Sequence, residues 1–558
     1  MNPDRQAPSA LALALAIALL AVVWFATLGH NALVRPDEGR YAEIPREMLA
    51  SGDWITPRLD GLKYFEKPAL QYWATAIAYR GFGLHEWTAR LWSALTGFLG
   101  ILLTGYTGAR LYDRRTGFIA AAILASSFLY FAIGHIAILD MGVTFFMLAS
   151  LATLLLAQTS SSATAQRNWM LACWAAMGLS MLSKGLIGIA LPGAVLITYS
   201  LVQRDWHIWR RLYLLSGLAV FALITLPWFV LVSRANPEFL WFFFIHEHFE
   251  RFLTPEAGRV HPWYTFIPVV ALGMLPWLAP LIASLREALS GKSQRPRGSF
   301  SPESMLWVWS GFIFLFFSVS HSKLVPYILP IFPALALLTA RYIASAPGRS
   351  LAWQFTLLMP LALALFGLAP LVERSASSEV PLELYARFVP WLQAGALFWL
   401  AGAAAASVLV RRNHTLSAIA IMALSGVLMG QSVYLGYDEL SPASSGRDIA
   451  ARIRPWLRPG VPFYSVAMYE QTLPPYLQRT MTLVAHPDEM QFGIQQEPQK
   501  WIPTVAEFER IWPRQPYALA VMSPAEYRKL QADGLAMQVI ASDTRRTVVV
   551  TPHTGTHS

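Results

Sequence analysis

Between two long uncharged segments near the start of the chain lies a stretch, 35–90, that carries eight Lys/Arg and eight Asp/Glu. An unpaired charge in hydrocarbon costs about 2.5–3.5 kcal/mol even on insertion-based scales, so this stretch cannot face lipid. It is expected to fold as an extramembrane loop. Its sharpest feature is Asp37-Glu38, just past the first apolar segment, where a carboxylate can look along the membrane surface.

The rest of the chain is of membrane type. Of 558 residues, 55% are hydrophobic and 14% charged, against about a quarter charged in ordinary soluble domains. The formal net charge of +10 sits in short loops between apolar spans, so topology explains it and no nucleic-acid partner is implied. Cys173 is the lone cysteine, which excludes an intrachain disulfide framework or a cysteine metal cluster. No charge falls between Arg5 and Arg35, too long for a cleaved signal h-region, so a retained first span is expected.

Thirteen stretches of about the length of a membrane helix lack Asp, Glu, Lys and Arg: 6–34, 91–109, 116–139, 141–166, 168–183, 185–203, 212–233, 260–285, 304–322, 324–340, 350–372, 388–410 and 413–437. The shorter apolar stretch 69–83 is expected to be an amphipathic helix lying at the membrane surface. With a cytoplasmic N-terminus, the loops on that side hold 16 Lys/Arg against 5 Asp/Glu, as the positive-inside rule requires. After Tyr437 the pattern changes. VPFYSVAMY and TMTLVA read as strands, TVAEFERIWPR and PAEYRKLQADG as helices, and AMQVIASDTRRTVVVTP as a closing hairpin. The expected organisation is a membrane domain over 1–437, with the loop 35–90, and a small α/β domain over 438–558 on the same outer face.

Parity of the spans puts Asp37, Glu66, Lys67, Asp140, Lys184, His246, His248, Arg251 and Lys323 on that face. Each has an ordinary reading beside a functional one. Asp37 after Pro36 suits the cap of a helix beginning near Gly39, and Glu66-Lys67-Pro68 the start of the surface helix. Asp140 suits the N-terminal end of a span, Lys184 the turn of a helical hairpin, and Glu247 and Arg251 an i,i+4 ion pair. His246 and His248 face different sides of a helix, so a metal role needs a further ligand such as Glu66. Lys323 and Tyr327, four residues apart, suit either a phosphate or the interfacial belt.

Five segments together carry a family resemblance: RPDEGRYAEIPREMLASGDWITPRLDGLKYFEKP, the ILD at Asp140, SKG at 183–185, EHFERF and SKLVPYILP. They resemble bacterial lipid A aminoarabinose transferases, GT-C glycosyltransferases related to the protein O-mannosyltransferases. The resemblance implies an α-helical polytopic fold of about thirteen spans, two surface helices in the first outer loop, and a periplasmic C-terminal α/β domain. It also implies a Gram-negative inner-membrane enzyme moving 4-amino-4-deoxy-L-arabinose from undecaprenyl phosphate to lipid A phosphates, with polymyxin resistance as the consequence. Asp37, Glu66 and Asp140 are then the catalytic candidates. Lys67, Arg251, Lys323 and Tyr327 are the candidates for binding the donor phosphate. No cofactor is expected to be required, since Lys and Arg can offset phosphate charge. A divalent ion such as zinc at Glu66 and His248, with Asp37 and Asp140 near it, is the alternative. The expected partners are the lipid-linked donor, lipid A and membrane lipids, with the protein a monomer.

Other readings compete. A GT-C transferase of another lipid-linked sugar, mannose or galacturonate, fits the same residues. A lipid-carrier flippase would place charges near the bilayer midplane and show internal repeats, and neither is seen in this sequence. A purely structural assembly protein leaves the charged first loop without a purpose.

Overall fold

A computed structural model describes residues 9–250, 261–290 and 298–552, apart from the side chains of 248–250. Among these residues, seven helices are long and apolar enough to cross a bilayer, and up to nine if each of two bent pairs is one span. Ala10–Phe25 and Ile187–Gln203 are shorter apolar helices. With Glu86–Leu111 and Ala163–Lys184, every one of the thirteen apolar stretches has a helical counterpart. The protein is a multi-pass membrane protein.

The bent pairs explain why apolar length alone did not foretell straight spans. Arg114–Ser126 meets Phe128–Gly134 at 66°, and Trp263–Gly273 meets Leu278–Leu289 at 118°. The two breaks bond each other: Phe128 N–H donates to the Leu275 carbonyl at 3.1 Å, and Trp277 Nε1 donates to Ser126 Oγ at 2.8 Å. Backbone groups freed inside an apolar bundle must find partners in protein, and here each break supplies the other's.

The first loop folds as expected, with one shift. Its first helix, Asp37–Ser51, begins two residues before Gly39, and Asp37 lies in its first turn. Pro36 occupies the cap position and no side chain caps the helix, so Asp37 is not the cap that the sequence suggested. A short hairpin of β1 (Arg58–Leu59) and β2 (Leu62–Lys63) follows. The surface helix predicted over 69–83 runs Leu70–Phe82.

The C-terminal domain has a five-stranded sheet in the order β4-β3-β5-β7-β6. Its strands are β3 (Phe463–Val466), β4 (Thr482–Val484), β5 (Leu519–Met522), β6 (Gln538–Ser542) and β7 (Thr547–Val550). β3 pairs in parallel with β4 and β5, while β7 runs antiparallel to β5 and β6. The hairpin and both predicted helices are present, as Val505–Ile511 and Pro524–Ala532. The central strand β5 was not foreseen. All four of its residues are buried, and a strand covered on both faces shows an apolar run rather than alternation.

This domain rests on the first loop. An added Cβ at Gly39 would lie 2.4 Å from the Gln471 carbonyl oxygen, so helix and domain meet backbone to backbone. Arg40 Nη2 is 2.5 Å from Glu489 Oε2, Arg58 Nη1 is 2.9 Å from Glu497 Oε2, and Asp60 Oδ1 accepts from Met481 N–H at 2.6 Å. The helix carrying Asp37 is thereby clamped on its outward side.

Candidate active site

Where the loop meets the helix bundle there is a cavity of about 150 Å³. Glu66 and Lys67 enter it from the loop, Asp140 and Lys184 from two helix ends, Glu247 from the π-helical segment Trp241–Glu250, and Tyr327 from the segment Val325–Ile331. The rest of the lining is largely apolar, with Val143, Met147, Leu191, Phe316 and Phe317 among others. Charged groups and hydrocarbon in one lining are what the phosphate end of a lipid requires.

Each lysine is held by carboxylates. Lys67 Nζ donates to the Glu66 carbonyl at 2.7 Å and to Glu247 Oε2 at 3.2 Å, with Glu66 Oε2 at 3.7 Å. Lys184 Nζ is 2.5 Å from Asp140 Oδ1 and stands 4.5 Å from the centroid of the Tyr327 ring. Asp140 occupies the first turn of Leu139–Thr159, where the helix dipole favours a carboxylate. Lys184 ends Ala163–Lys184, and Gly185 at φ 89° turns the chain away so that the ammonium projects into the cavity.

Lys323 is placed differently from its expected role. It does not line the cavity. It is buried, and its ammonium donates to the carbonyl of Ser320, which caps the helix Pro302–Val319. The free carbonyls of a helix end draw a nearby cation by charge and hydrogen bonding. Tyr327 reaches the cavity without it, so Lys184 stands where sequence reasoning put Lys323. The turn role read for Lys184 is also real, since it is the last residue before the break. Arg251 and the side chain of His248 lie outside the described residues.

Asp37 is close by but not in this lining. Its Oδ1 is 3.6 Å from Arg40 Nη1, and its side chain is half exposed. Arg40 joins Asp37 to Glu489 of the C-terminal domain. Burial pushes the Glu489 carboxyl up to about 7 against the pull of Arg40, and the charges of Glu66 and Asp37 push the same way. Asp37, Arg40, Glu489 and Glu66 therefore share one electrostatic neighbourhood, with Glu66 also facing the cavity. Among the described residues, no three His, Cys, Asp or Glu side chains are grouped to hold a metal ion.

Residues 9–243 match the dolichyl-phosphate-mannose-protein mannosyltransferase family, and residues 449–551 match the aminoarabinose transferase C-terminal domain. An undecaprenyl phosphate-alpha-4-amino-4-deoxy-L-arabinose arabinosyl transferase of Edwardsiella ictaluri is 35% identical over 60% of this chain and 60% of its own length. The corresponding protein of Erwinia tasmaniensis is 33% identical over 69% of this chain and 71% of its own. The crystal structure of ArnT from Cupriavidus metallidurans bound to undecaprenyl phosphate superposes with a TM-score of 0.93 at 40% identity, covering 98% of this chain and 99% of that one. The chain belongs to the aminoarabinose transferase family.

Membership gives the geometry a context. An aminoarabinose transferase of the GT-C fold is a glycosyltransferase that draws its sugar from a lipid-linked donor. One family match falls within the helical bundle and includes the first loop, and the other falls within the C-terminal domain. Glu247, for which the sequence suggested an i,i+4 ion pair with Arg251, lines this cavity. Nothing in EHFERF signals its contact with Lys67, because the two are 180 positions apart.

Proposed function

We propose that this protein transfers 4-amino-4-deoxy-L-arabinose from undecaprenyl phosphate to a phosphate of lipid A. The reaction takes place on the periplasmic face of the Gram-negative inner membrane, and its outcome is polymyxin resistance. The observation that carries this reading is the largely apolar cavity into which Lys67 and Lys184 project beside Glu66, Asp140 and Tyr327. Both substrates are lipids, and a site at the membrane boundary lets their chains stay in hydrocarbon while their headgroups meet.

In the reaction, an acceptor phosphate oxygen attacks the anomeric carbon of the sugar as the bond from that carbon to the carrier phosphate breaks. A single in-line displacement inverts that carbon. The acceptor's second pKa is about 6, so it is largely anionic at neutral pH and needs little help to lose a proton. Asp37 then serves to orient the acceptor or sugar and to offset positive charge developing at the anomeric carbon. The leaving group is a lipid phosphate. Lys67 and Lys184 neutralise the charge it gains and Tyr327 adds a hydrogen bond, with Arg251, outside the described residues, as a further cationic candidate. Glu66 takes the sugar's ammonium. This mechanism needs no resident metal, because the ammonium groups do the work a divalent ion would do. The protein acts as a monomer, with no nucleic-acid partner.

Lipid A mass spectrometry tests the reading in a polymyxin-sensitive strain lacking its own transferase. Wild type is expected to add an aminoarabinose, and well-expressed Asp37→Ala is expected not to. No adduct from folded wild-type protein would overturn the donor and acceptor together and favour another lipid-linked sugar.

A further inference from the structure

A second cavity, of about 510 Å³, opens where the chain leaves the first span, between Val34–Arg35–Pro36, the segment 376–381 and the C-terminal domain. It shares no lining residue with the cavity described above. Tyr385 and Tyr437 line its membrane side, at the ends of Leu382–Arg411 and Thr415–Tyr437. Tyrosines at that level are the usual mark of the membrane–water boundary.

The two arginines that line this cavity, Arg35 and Arg545, already grip an anion from within the chain, which itself is not part of the lining. Glu379 Oε2 is 3.1 Å from Arg35 Nη2 and 3.3 Å from Arg545 Nε. One carboxylate oxygen gripped by two guanidinium groups has the arrangement of a bound phosphate oxygen. Arg545 is fixed: its side chain is buried, its Nη1 lies 3.3 Å from the fully buried Glu470 and donates to the Ala443 carbonyl at 3.1 Å. Glu379 is 57% exposed and belongs to no helix, so it can move into water at little cost. His486 and Asp488, 3.8 Å apart, also line the cavity. Pro36 precedes Asp37 directly, and Asp488 precedes the Glu489 that binds Arg40. The cavity is therefore lined by the chain neighbours of Asp37 and Glu489 and by none of the lysines of the first cavity.

We propose that this second cavity seats a phosphate of the acceptor other than the one that attacks the sugar, the acceptor being a bisphosphorylated saccharide lipid, with that phosphate taking the place of Glu379 between Arg35 and Arg545. The proposal rests on the function given above and deepens it by separating the acceptor's seat from the donor's. A phosphate monoester brings a charge of about −1.5 to −2 and three acceptor oxygens, which satisfy two guanidinium groups better than one carboxylate oxygen does. The acyl chains pass the tyrosines into the bilayer. Glu379 then acts as an internal competitor that keeps the arginines neutralised until an acceptor arrives.

The test is binding to the full-length protein in detergent, with bisphosphorylated lipid A, dephosphorylated lipid A, inorganic phosphate and undecaprenyl phosphate as probes. Arg35→Gln is expected to weaken bisphosphorylated lipid A about tenfold or more, the loss of a hydrogen bond to a charged group, and Arg35→Lys to recover part of it. Glu379→Gln is expected to strengthen the same binding. Neither change is expected to alter undecaprenyl phosphate binding, which Lys67→Gln weakens instead, and dephosphorylated lipid A is expected to be insensitive to Arg35. Unchanged lipid A binding in both Arg35→Gln and Glu379→Gln, with undecaprenyl phosphate binding intact as proof of folding, overturns the proposal. Arg35-dependent binding of inorganic phosphate without that of lipid A also overturns it. The two readings fail separately. An adduct in cells with Arg35-independent lipid A binding removes the seat alone. Arg35-dependent lipid A binding without an adduct removes the reaction and leaves the seat.

Discussion

Arg90 holds Glu38 by two parallel hydrogen bonds, Nε to Oε1 at 2.8 Å and Nη2 to Oε2 at 2.7 Å, with both side chains buried. Glu38 also accepts from the backbone N–H of Val34 at 2.9 Å and of Ala137 at 2.8 Å. One carboxylate thus ties the first loop to the span Glu86–Leu111 and to the segment leading into the helix of Asp140. Its neighbour Asp37 is half exposed and paired only loosely with Arg40. Of two adjacent acids, one is committed to structure and the other is left half exposed.

The two should therefore fail differently. Glu38→Ala leaves the Arg90 charge buried, and breaking such a pair costs about 3–5 kcal/mol, so thermal unfolding in detergent is expected to shift strongly downward. Asp37→Ala is expected to unfold close to wild type while losing about 100-fold or more in turnover. If both variants unfold alike, Asp37 is a structural residue.

Lys184 is expected to matter for turnover. Removing one preorganised donor of an oxyanion costs about 2.7–4 kcal/mol, so Lys184→Met should lose about 100–1,000-fold. Lys323→Met, whose ammonium is committed to the Ser320 carbonyl, should lose stability before it loses donor recognition. Kinetics with purified donor, beside an unfolding curve for each variant, separate the two lysines. Equal kinetic defects at equal stability would return Lys323 to the site.

Gly39→Ala should uncouple the C-terminal domain from the first loop. The new Cβ would lie 2.4 Å from the Gln471 carbonyl oxygen, and overpacking of this kind costs about 1–3 kcal/mol. Faster proteolysis of the C-terminal domain and reduced turnover are expected together. Gly311→Ala, where an added Cβ meets nothing within 4 Å, is the matched control. A Gly39→Ala protein with wild-type proteolysis would mean that the contact is slack.

Glu489 gives a pH signature. Its carboxyl is raised by burial from 4.5 to about 7 in the folded protein, so between those values the folded state binds more protons than the unfolded one. Stability from this group is then full below about pH 4.5 and declines as pH rises through about 7. Unfolding temperatures of wild type and Glu489→Gln, followed from pH 5 to 8, should differ by an amount that moves against wild type as pH rises. A pH-independent difference would show that Glu489 stays ionised beside Arg40.

Legibility in the sequence differs from residue to residue. Glu66, Lys67 and Asp140 could be singled out because a charge beside an apolar span has few tolerable places, and the structure brings them to one cavity with Tyr327. Lys184 read first as a turn, because its partner Asp140 is 44 positions away and no local pattern announces the pair. Lys323 read as a phosphate ligand, because its spacing from Tyr327 suggests one helix face. The chain there forms a 3-10 segment beginning at Val325, which leaves the lysine outside it and against a helix end.

What the sequence determined by itself is set by solvent. Runs of uncharged residues must be helices in hydrocarbon, and sixteen charges between two of them must lie outside it. Class and the place of the first loop outside the bilayer follow from that one constraint. Only the tertiary structure decided which acid is structural, which lysine faces the cavity, and that β5 lies at the centre of the C-terminal sheet. Those outcomes depend on pairings between distant segments, Glu38 with Arg90, Lys184 with Asp140, Gly39 with Gln471. The energy of such a pairing resides in contact and burial, which exist only once the chain has folded.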